Sequence, residues 1–243
     1  MNSKKLFQSK LNPSIDSPRG SQFAPRFAPR GFRNRREAAE RLAQALSAYR
    51  GQNPLILGIP RGSVPMAKII ADILNGELDV VLVHKIGAPN NPEFGVGSVS
   101  EFGDIYGPED LGPYEIPIPY LSTAAHEEII KLQEKRASYS PIRPPISPKN
   151  RVVIIVDDGI ATGSTALAAI RAIHAQRPKK LILATPIAPP KAIERLQAEV
   201  DELIVLQSPL DFFSISQFYD DFPQVSDDEV LKTLAESKKD KAA

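Results

Sequence analysis

The chain has 243 residues and an apolar content of 42%, enough to bury a self-sufficient core in one α/β domain with appendages. It holds no cysteine, which excludes a disulfide framework and a cysteine metal site, and its longest strictly aliphatic run, Val152 to Val156, is far too short to cross a bilayer. A net charge of +1 conceals an asymmetry: residues 1–36 carry nine Lys/Arg against one acid, or +8, and residues 37–243 carry 21 against 28, or −7.

The first residues, MNSKKLFQSK, lack the apolar stretch of a secretory signal, which together with the absence of cysteine fits a cytoplasmic protein without a membrane partner. SPRGSQFAPRFAPRGFRNRR then repeats FAPR at 23–26 and 27–30 and has too few aliphatic side chains to offset its ordering entropy. Residues 1–32 are therefore expected to form a disordered basic arm, serving either as a solubilising tail or as a contact for nucleic acid or an acidic partner.

Next, NRREAAERLAQALSAYR places Ala38, Leu42, Ala45, Leu46 and Tyr49 at helical spacing, with Asn34 as a cap. Short aliphatic runs at 55–59, 79–83, 152–156, 181–185 and 203–206 have the character of strands buried on both faces, and helical stretches at 64–74, 163–176 and 189–199 separate most of them. This alternation predicts an α/β fold with a doubly wound, mostly parallel sheet over residues 33–225, followed by a C-terminal helix and charged tail at 226–243. One interval breaks the rhythm. Residues 86–120 are dense in Gly, Pro and Asn, as expected of a lid over a site, and a helix at 122–139 and a proline-rich link follow.

In such sheets ligands bind beyond the carboxyl ends of the strands, where strand order reverses. VVIIVDDGIATGSTA, residues 152–166, is one such end: a strand, then Asp157 and Asp158, then a glycine-bearing turn into a helix. Helix-start amides, glycines and the hydroxyls of Thr162, Ser164 and Thr165 make an anion cradle. The familiar nucleotide cradles do not match, because Ser164 rather than lysine follows Gly163, and GVGSVS at 95–100 lacks the third glycine of the dinucleotide fingerprint. Two carboxylates would repel a bare phosphate, so they address another part of the ligand. Vicinal hydroxyls suit them, and so does a divalent cation held through water. A phosphorylated ribose satisfies both halves.

VVIIVDDGIATGST resembles the phosphoribosyl-pyrophosphate signature of the type I phosphoribosyltransferases. The resemblance implies that Asp157 and Asp158 contact the ribose hydroxyls, that Ala161, Thr162, Gly163, Ser164 and Thr165 hold the 5′-phosphate, and that Mg²⁺ acts near the acids through ligand and water, with no direct protein ligands. LILGIPRGSVPMA is similar to the family's pyrophosphate loop, which gives Arg61 and Gly62 that role. VLVHKIGAPNNPE resembles the strand end that bears a basic pair, with His84 where arginine is frequent, so Lys85 joins the pyrophosphate and catalytic set. The order of elements over 33–225 is similar to a group of bacterial phosphoribosyltransferases without an assigned acceptor.

DDGIATGST is closer to adenine than to hypoxanthine-guanine enzymes, which carry an acid where Ala161 stands. SVSEFGD at 98–104 resembles the E-Y-G of the adenine enzymes' mobile loop, which makes Glu101 a candidate proton handler. By the same resemblance SPLDFFSISQFYDDF would supply an acceptor hood, with Phe212, Phe213 and Tyr219 stacking on a flat ring. His84, His126 and His174 have no metal-ligand spacing. The expected activity is transfer of ribose 5-phosphate to a nitrogenous acceptor with release of pyrophosphate, which would place the chain in nucleotide metabolism. A sensor of phosphoribosyl pyrophosphate or a nucleotide, and a hydrolase of the same ligand, are the other readings, and self-association into a homo-oligomer is left open.

Overall fold

The structure is a computed structural model that describes residues 31–89, 91–106 and 117–239. Helix α1 (Arg35–Ala45) starts at Asn34, whose side chain accepts from the Glu37 N–H and satisfies one of the first-turn donors. Strand β1 (Leu55–Gly58), helix α2 (Val64–Leu74) and strand β2 (Glu77–Val80) make the first crossover unit. Asn75 ends α2 in a left-handed conformation (φ 53°), which an amide side chain tolerates better than most. Later come β6 (Val152–Val156), α4 (Ser164–Ala175), β7 (Lys180–Ile187), α5 (Pro190–Gln197) and β8 (Glu202–Gln207).

The five strands form one parallel sheet in the order β2-β1-β6-β7-β8. Because successive side chains point to opposite faces, Leu55, Leu57, Val153, Ile155, Leu181 and Leu183 enter one core layer with α4 and α5. Ile56, Ile154, Ile182 and Ala184 enter the other, with α1, α2 and α6 (Asp227–Lys239). The sheet is thus doubly wound, as the alternation of elements predicts, and its central strands read as unbroken aliphatic runs because both faces are covered.

Two expectations need correction. The run expected as a strand over 79–83 ends at Val80, and Val83 already belongs to another sheet. The interval expected as an irregular lid also begins as regular structure. Strands β3 (Val83–Ala88), β4 (Asn91–Ser100) and β5 (Ile105–Tyr106) form an antiparallel three-stranded sheet with register shifts beside Gly87. Ile86, Val96 and Val99 are buried within this insertion, so it has a core of its own that the intervening Gly, Asn and Pro obscure in the sequence. Residues 107–116 of the expected lid and residues 1–30 of the expected arm lie outside the described residues. No helix among the described residues is long and apolar enough to cross a membrane.

Helix α3 (Ile118–Tyr139) carries Arg136, which ties the insertion to the main sheet. Its Nη1 donates to Asp79 Oδ1 at 2.8 Å, Nη2 to Glu101 Oε1 and the Val80 carbonyl, both at 2.7 Å, and Nε to Glu101 Oε2. Asp79 also accepts from the Ile146 N–H at 2.9 Å and Glu101 from the Leu82 N–H at 3.0 Å. Burial works against the Arg136 charge, but the two carboxylates more than offset it and hold the group firmly protonated. Replacing Arg136 by methionine leaves two buried carboxylates without their cation. Arg136→Met is expected to lower the unfolding free energy by about 3–5 kcal/mol in urea titrations, and a loss below about 1 kcal/mol would mean that the network is slack.

Candidate functional site

Strands β1 and β6 are neighbours, paired from Leu55 with Val153 to Gly58 with Val156, yet the chain leaves them in opposite directions across the sheet. Their carboxyl ends are therefore the switch point, and both loops there line one cleft of about 300 Å³. The cleft is walled by Ile59 to Gly62 on one side, by Asp157 to Ala166 on the other and by Ile215. Asp157, Asp158, the turn from Ala161 to Thr165, Arg61 and Gly62 are thus brought together from positions about a hundred residues apart in sequence.

Each loop is fixed locally. After β1, the Pro60–Arg61 peptide is cis, and the buried Ser63 hydroxyl donates back to the Ile59 carbonyl, closing the turn into α2. A Cβ on Gly62 would lie 2.0 Å from Asp158 Oδ2, so only glycine lets the two loops approach this closely. After β6, the Asp157 N–H still donates to the Ala184 carbonyl at 3.2 Å and the Ile160 N–H to the Ile187 carbonyl at 2.8 Å, which pins the acid doublet to the sheet. Gly163 caps α4 in the left-handed region (φ 81°) and has no side chain to occupy the helix-start amides that face the cleft.

The doublet is an electrostatic load. Burial, and then the adjoining Asp158 charge, pushes the Asp157 carboxyl well above its ordinary range, against the one bond it accepts from the Asp158 N–H at 2.9 Å. Burial raises Asp158 as well, opposed by Arg35, whose Nε and Nη2 each lie 2.8 Å from Oδ2. The Tyr219 hydroxyl donates to the Asp158 carbonyl at 2.6 Å, and burial followed by the Asp158 charge drives that phenol far above its usual range.

The remaining expected site residues are distributed differently. Arg61 is half-exposed, and its Nη1 lies 3.4 Å from Asp227 Oδ2 at the start of α6. Lys85 lines a neighbouring cavity of about 770 Å³ between β3 and α3, which shares Pro60 and Thr165 with the first cleft. Glu101 is not brought to the cleft. Its carboxylate is consumed by Arg136 and the Leu82 N–H, so the expectation of a proton handler gives way to a structural ion pair. Nor do the hood aromatics line the cleft. Tyr219 is buried between Phe222, stacked at 4.5 Å, and Phe32 at 5.7 Å, Phe212 packs on Phe218 at 5.5 Å, and Phe213 is 90% exposed to solvent. Ile215 is the residue of that segment that reaches the cleft, because the segment turns into a short helix at Ile215–Phe218 capped by Ser214 and Gln217.

Arg35 is the site residue that sequence reasoning missed, because its charge counts with that of the N-terminal arm. A signal existed. Arg35 and Arg36 open a helix, where cations oppose the macrodipole, and that placement points to an anion close by. Among the described residues no cluster of three or more His, Asp or Glu could hold a metal ion, and His84 instead faces Glu128 at 3.5 Å.

A carboxyl whose pKa is higher folded than unfolded binds its proton more tightly in the folded protein. Stability therefore falls as pH rises from its ordinary value, about 3.9 for aspartate, through its folded-state value. Asp157→Asn removes the strained charge but keeps the shape. The variant is expected to melt at a higher temperature than the parent at neutral pH and to lose less stability across that window. A lower melting temperature at neutral pH would show that the doublet is not a load on the fold.

The comparisons with known proteins meet this geometry. The family model described as "Phosphoribosyl transferase domain" matches residues 31–223. A Mycobacterium tuberculosis (strain H37Rv) protein named "Putative phosphoribosyl transferase Rv0571c" is 35% identical over 210 residues, which is 86% of this chain and 47% of that protein. The chain thus spans about half the length of the curated relatives it matches. A uracil phosphoribosyltransferase from Acinetobacter baylyi is 28% identical over 96 residues, covering 40% of this chain and 44% of its own length. The crystal structure of TT1426 from Thermus thermophilus superposes with a TM-score of 0.76 at 40% identity, covering 85% of this chain and 98% of that one. With both cleft loops and Ile215 inside the matched residues, the chain belongs to the phosphoribosyl transferase domain family.

Proposed function

We propose that the chain binds phosphoribosyl pyrophosphate with Mg²⁺ and transfers ribose 5-phosphate to a nitrogenous acceptor, releasing pyrophosphate. One observation carries this reading: a single cleft joins two desolvated carboxylates to the turn and helix start of α4, with a glycine turn and an arginine on the facing wall. Carboxylates accept hydrogen bonds and so suit ribose hydroxyls, whereas a helix start donates them and so suits a phosphate. Neither half of the cleft can do the work of the other, and a sugar phosphate calls on both.

In the reaction the bond from ribose C1 to the pyrophosphate oxygen breaks with its electron pair leaving on that oxygen. A bond from C1 to the acceptor nitrogen forms, and the acceptor's proton passes to solvent or to a base. Asp157 and Asp158 accept from the ribose hydroxyls and so fix the sugar as C1 gains positive charge. The backbone and hydroxyls of Ala161 to Thr165 hold the 5′-phosphate, while Arg61 and Lys85 balance charge on the departing pyrophosphate, Arg61 exchanging Asp227 for it. The donor set also fits Mg²⁺, since two carboxylates beside a phosphate-binding turn are what that ion uses when it keeps most of its waters, and it would neutralise charge on the pyrophosphate. Ile160 and Ile215 give the cleft an apolar side suited to a flat acceptor such as a nucleobase.

Two measurements test the reading. A panel of nucleobases incubated with phosphoribosyl pyrophosphate and Mg²⁺ is expected to give pyrophosphate release with one acceptor class. Ligand binding without release would move the reading to a sensor. In calorimetry, the double variant Asp157→Asn/Asp158→Asn is expected to abolish Mg²⁺-dependent binding of phosphoribosyl pyrophosphate, each lost charged acceptor costing about 1.5–3 kcal/mol. Undiminished affinity in the folded variant would remove the ribose assignment.

A further inference from the structure

Arg35 is held on every edge. Nε donates to Asp158 Oδ2 at 2.8 Å, Nη2 lies 2.8 Å from the same oxygen, Nη1 donates to the Pro223 carbonyl at 2.6 Å, and the guanidinium lies 3.6 Å from the centre of the Phe222 ring. The side chain is only 13% exposed. Its position is fixed in turn by the backbone, because the Phe32 N–H donates to the Phe218 carbonyl at 2.7 Å and the Asp220 N–H to the Phe32 carbonyl at 2.9 Å. Nη2 also lies 3.0 Å from where a Cβ on Gly62 would sit, so the guanidinium reaches the junction of the two cleft loops.

Both nitrogens converge on one oxygen of Asp158. That convergence orients the carboxylate and leaves Oδ1 for a ligand hydroxyl. Charge-assisted bonds from a planar, stacked guanidinium resist rotation of their acceptor far better than a lysine would. On the reading above, in which Asp158 takes a ribose hydroxyl, we propose that Arg35 is a positioning residue for the ribose site. It touches no substrate and acts through Asp158, setting the preference for ribose phosphates over their 2-deoxy counterparts. Arg35 thus lies within the basic stretch at 1–36 yet grips the acid doublet.

A tie between α1 and the 215–223 segment would use the same contacts to Phe222 and Pro223 without serving the ligand, and a double-mutant cycle separates the two roles. Calorimetry with phosphoribosyl pyrophosphate and Mg²⁺ is run on the full chain, on Arg35→Met, Arg35→Lys and Asp158→Asn, and on Arg35→Met combined with Asp158→Asn. Arg35→Met is expected to weaken binding about tenfold or more, as loss of a charged hydrogen bond does, and Arg35→Lys to recover part of it. In the Asp158→Asn background the further loss is expected to stay within about twofold, because the two residues act as one unit. Competition by ribose 5-phosphate over 2-deoxyribose 5-phosphate is expected to lose selectivity in Arg35→Met. Melting temperatures confirm that the variants fold, and should Arg35→Met not fold, Arg35→Lys carries the same cycle. An equal loss in both backgrounds, an unchanged affinity, or an unchanged sugar preference overturns the positioning role while leaving the binding reading in place. Absence of binding by the parent chain overturns both.

Discussion

Everything at the cleft depends on keeping two adjacent carboxylates at the end of a buried strand. Taking like charges out of water is unfavourable twice over, through lost hydration and through mutual repulsion, and both effects drive Asp157 upward from its ordinary range. The fold does not neutralise this load completely. Arg35 relieves Asp158, and a single backbone N–H serves Asp157, so part of the cost is left for a ligand to offset. A site with that imbalance binds hydroxyl donors and cations more strongly than a relaxed one would, at the expense of stability in the free protein.

The relief arrives from the two ends of the matched domain. Phe32 and Arg33 pair with 218–221 through backbone bonds, Arg35 follows from one side, and Tyr219, Phe222 and Pro223 follow from the other. Chain entropy opposes joining segments so distant in sequence, and the aromatic stack of Phe32, Tyr219 and Phe222 offers the buried surface that compensates. Of the aromatics expected to cover an acceptor, Tyr219 is therefore spent on structure, because holding Arg35 and the Asp158 carbonyl requires a dry, rigid neighbour.

The parallel sheet was legible because strands covered on both faces need no alternation and appear as plain aliphatic runs, and Val152–Val156 carries the acid doublet directly behind it. The cleft loops were legible because their chemistry is local: glycine, acid and hydroxyl at fixed spacing. The insertion at 83–106 was not, since Gly87, Pro89 and Gly95 break up the few apolar positions, Ile86, Val96 and Val99, that it buries, and its register shifts beside Gly87. Arg35 and Glu101 were misjudged for a shared reason. An ionisable residue's role is set by its partner, and Asp158 and Arg136 lie far off in sequence, so local context counted one with the basic stretch at 1–36 and the other as a loop acid.

The two arginines that face the loops differ in how readily they can change partners. Arg35 is nearly buried, with two nitrogens against one carboxylate oxygen and its guanidinium over a ring, so releasing it would strand a desolvated charge. Arg61 meets Asp227 at 3.4 Å with both side chains about half exposed, a screened contact of little strength, and Asp227 has Lys135 at 3.0 Å and the Tyr139 hydroxyl at 3.2 Å as further partners. Losing Arg61 would therefore leave Asp227 neither buried nor alone. The cleft thus pairs a fixed cation behind the acid doublet with an exchangeable one on the facing loop, and it is the exchangeable one that can turn to an incoming polyanion without disturbing the fold.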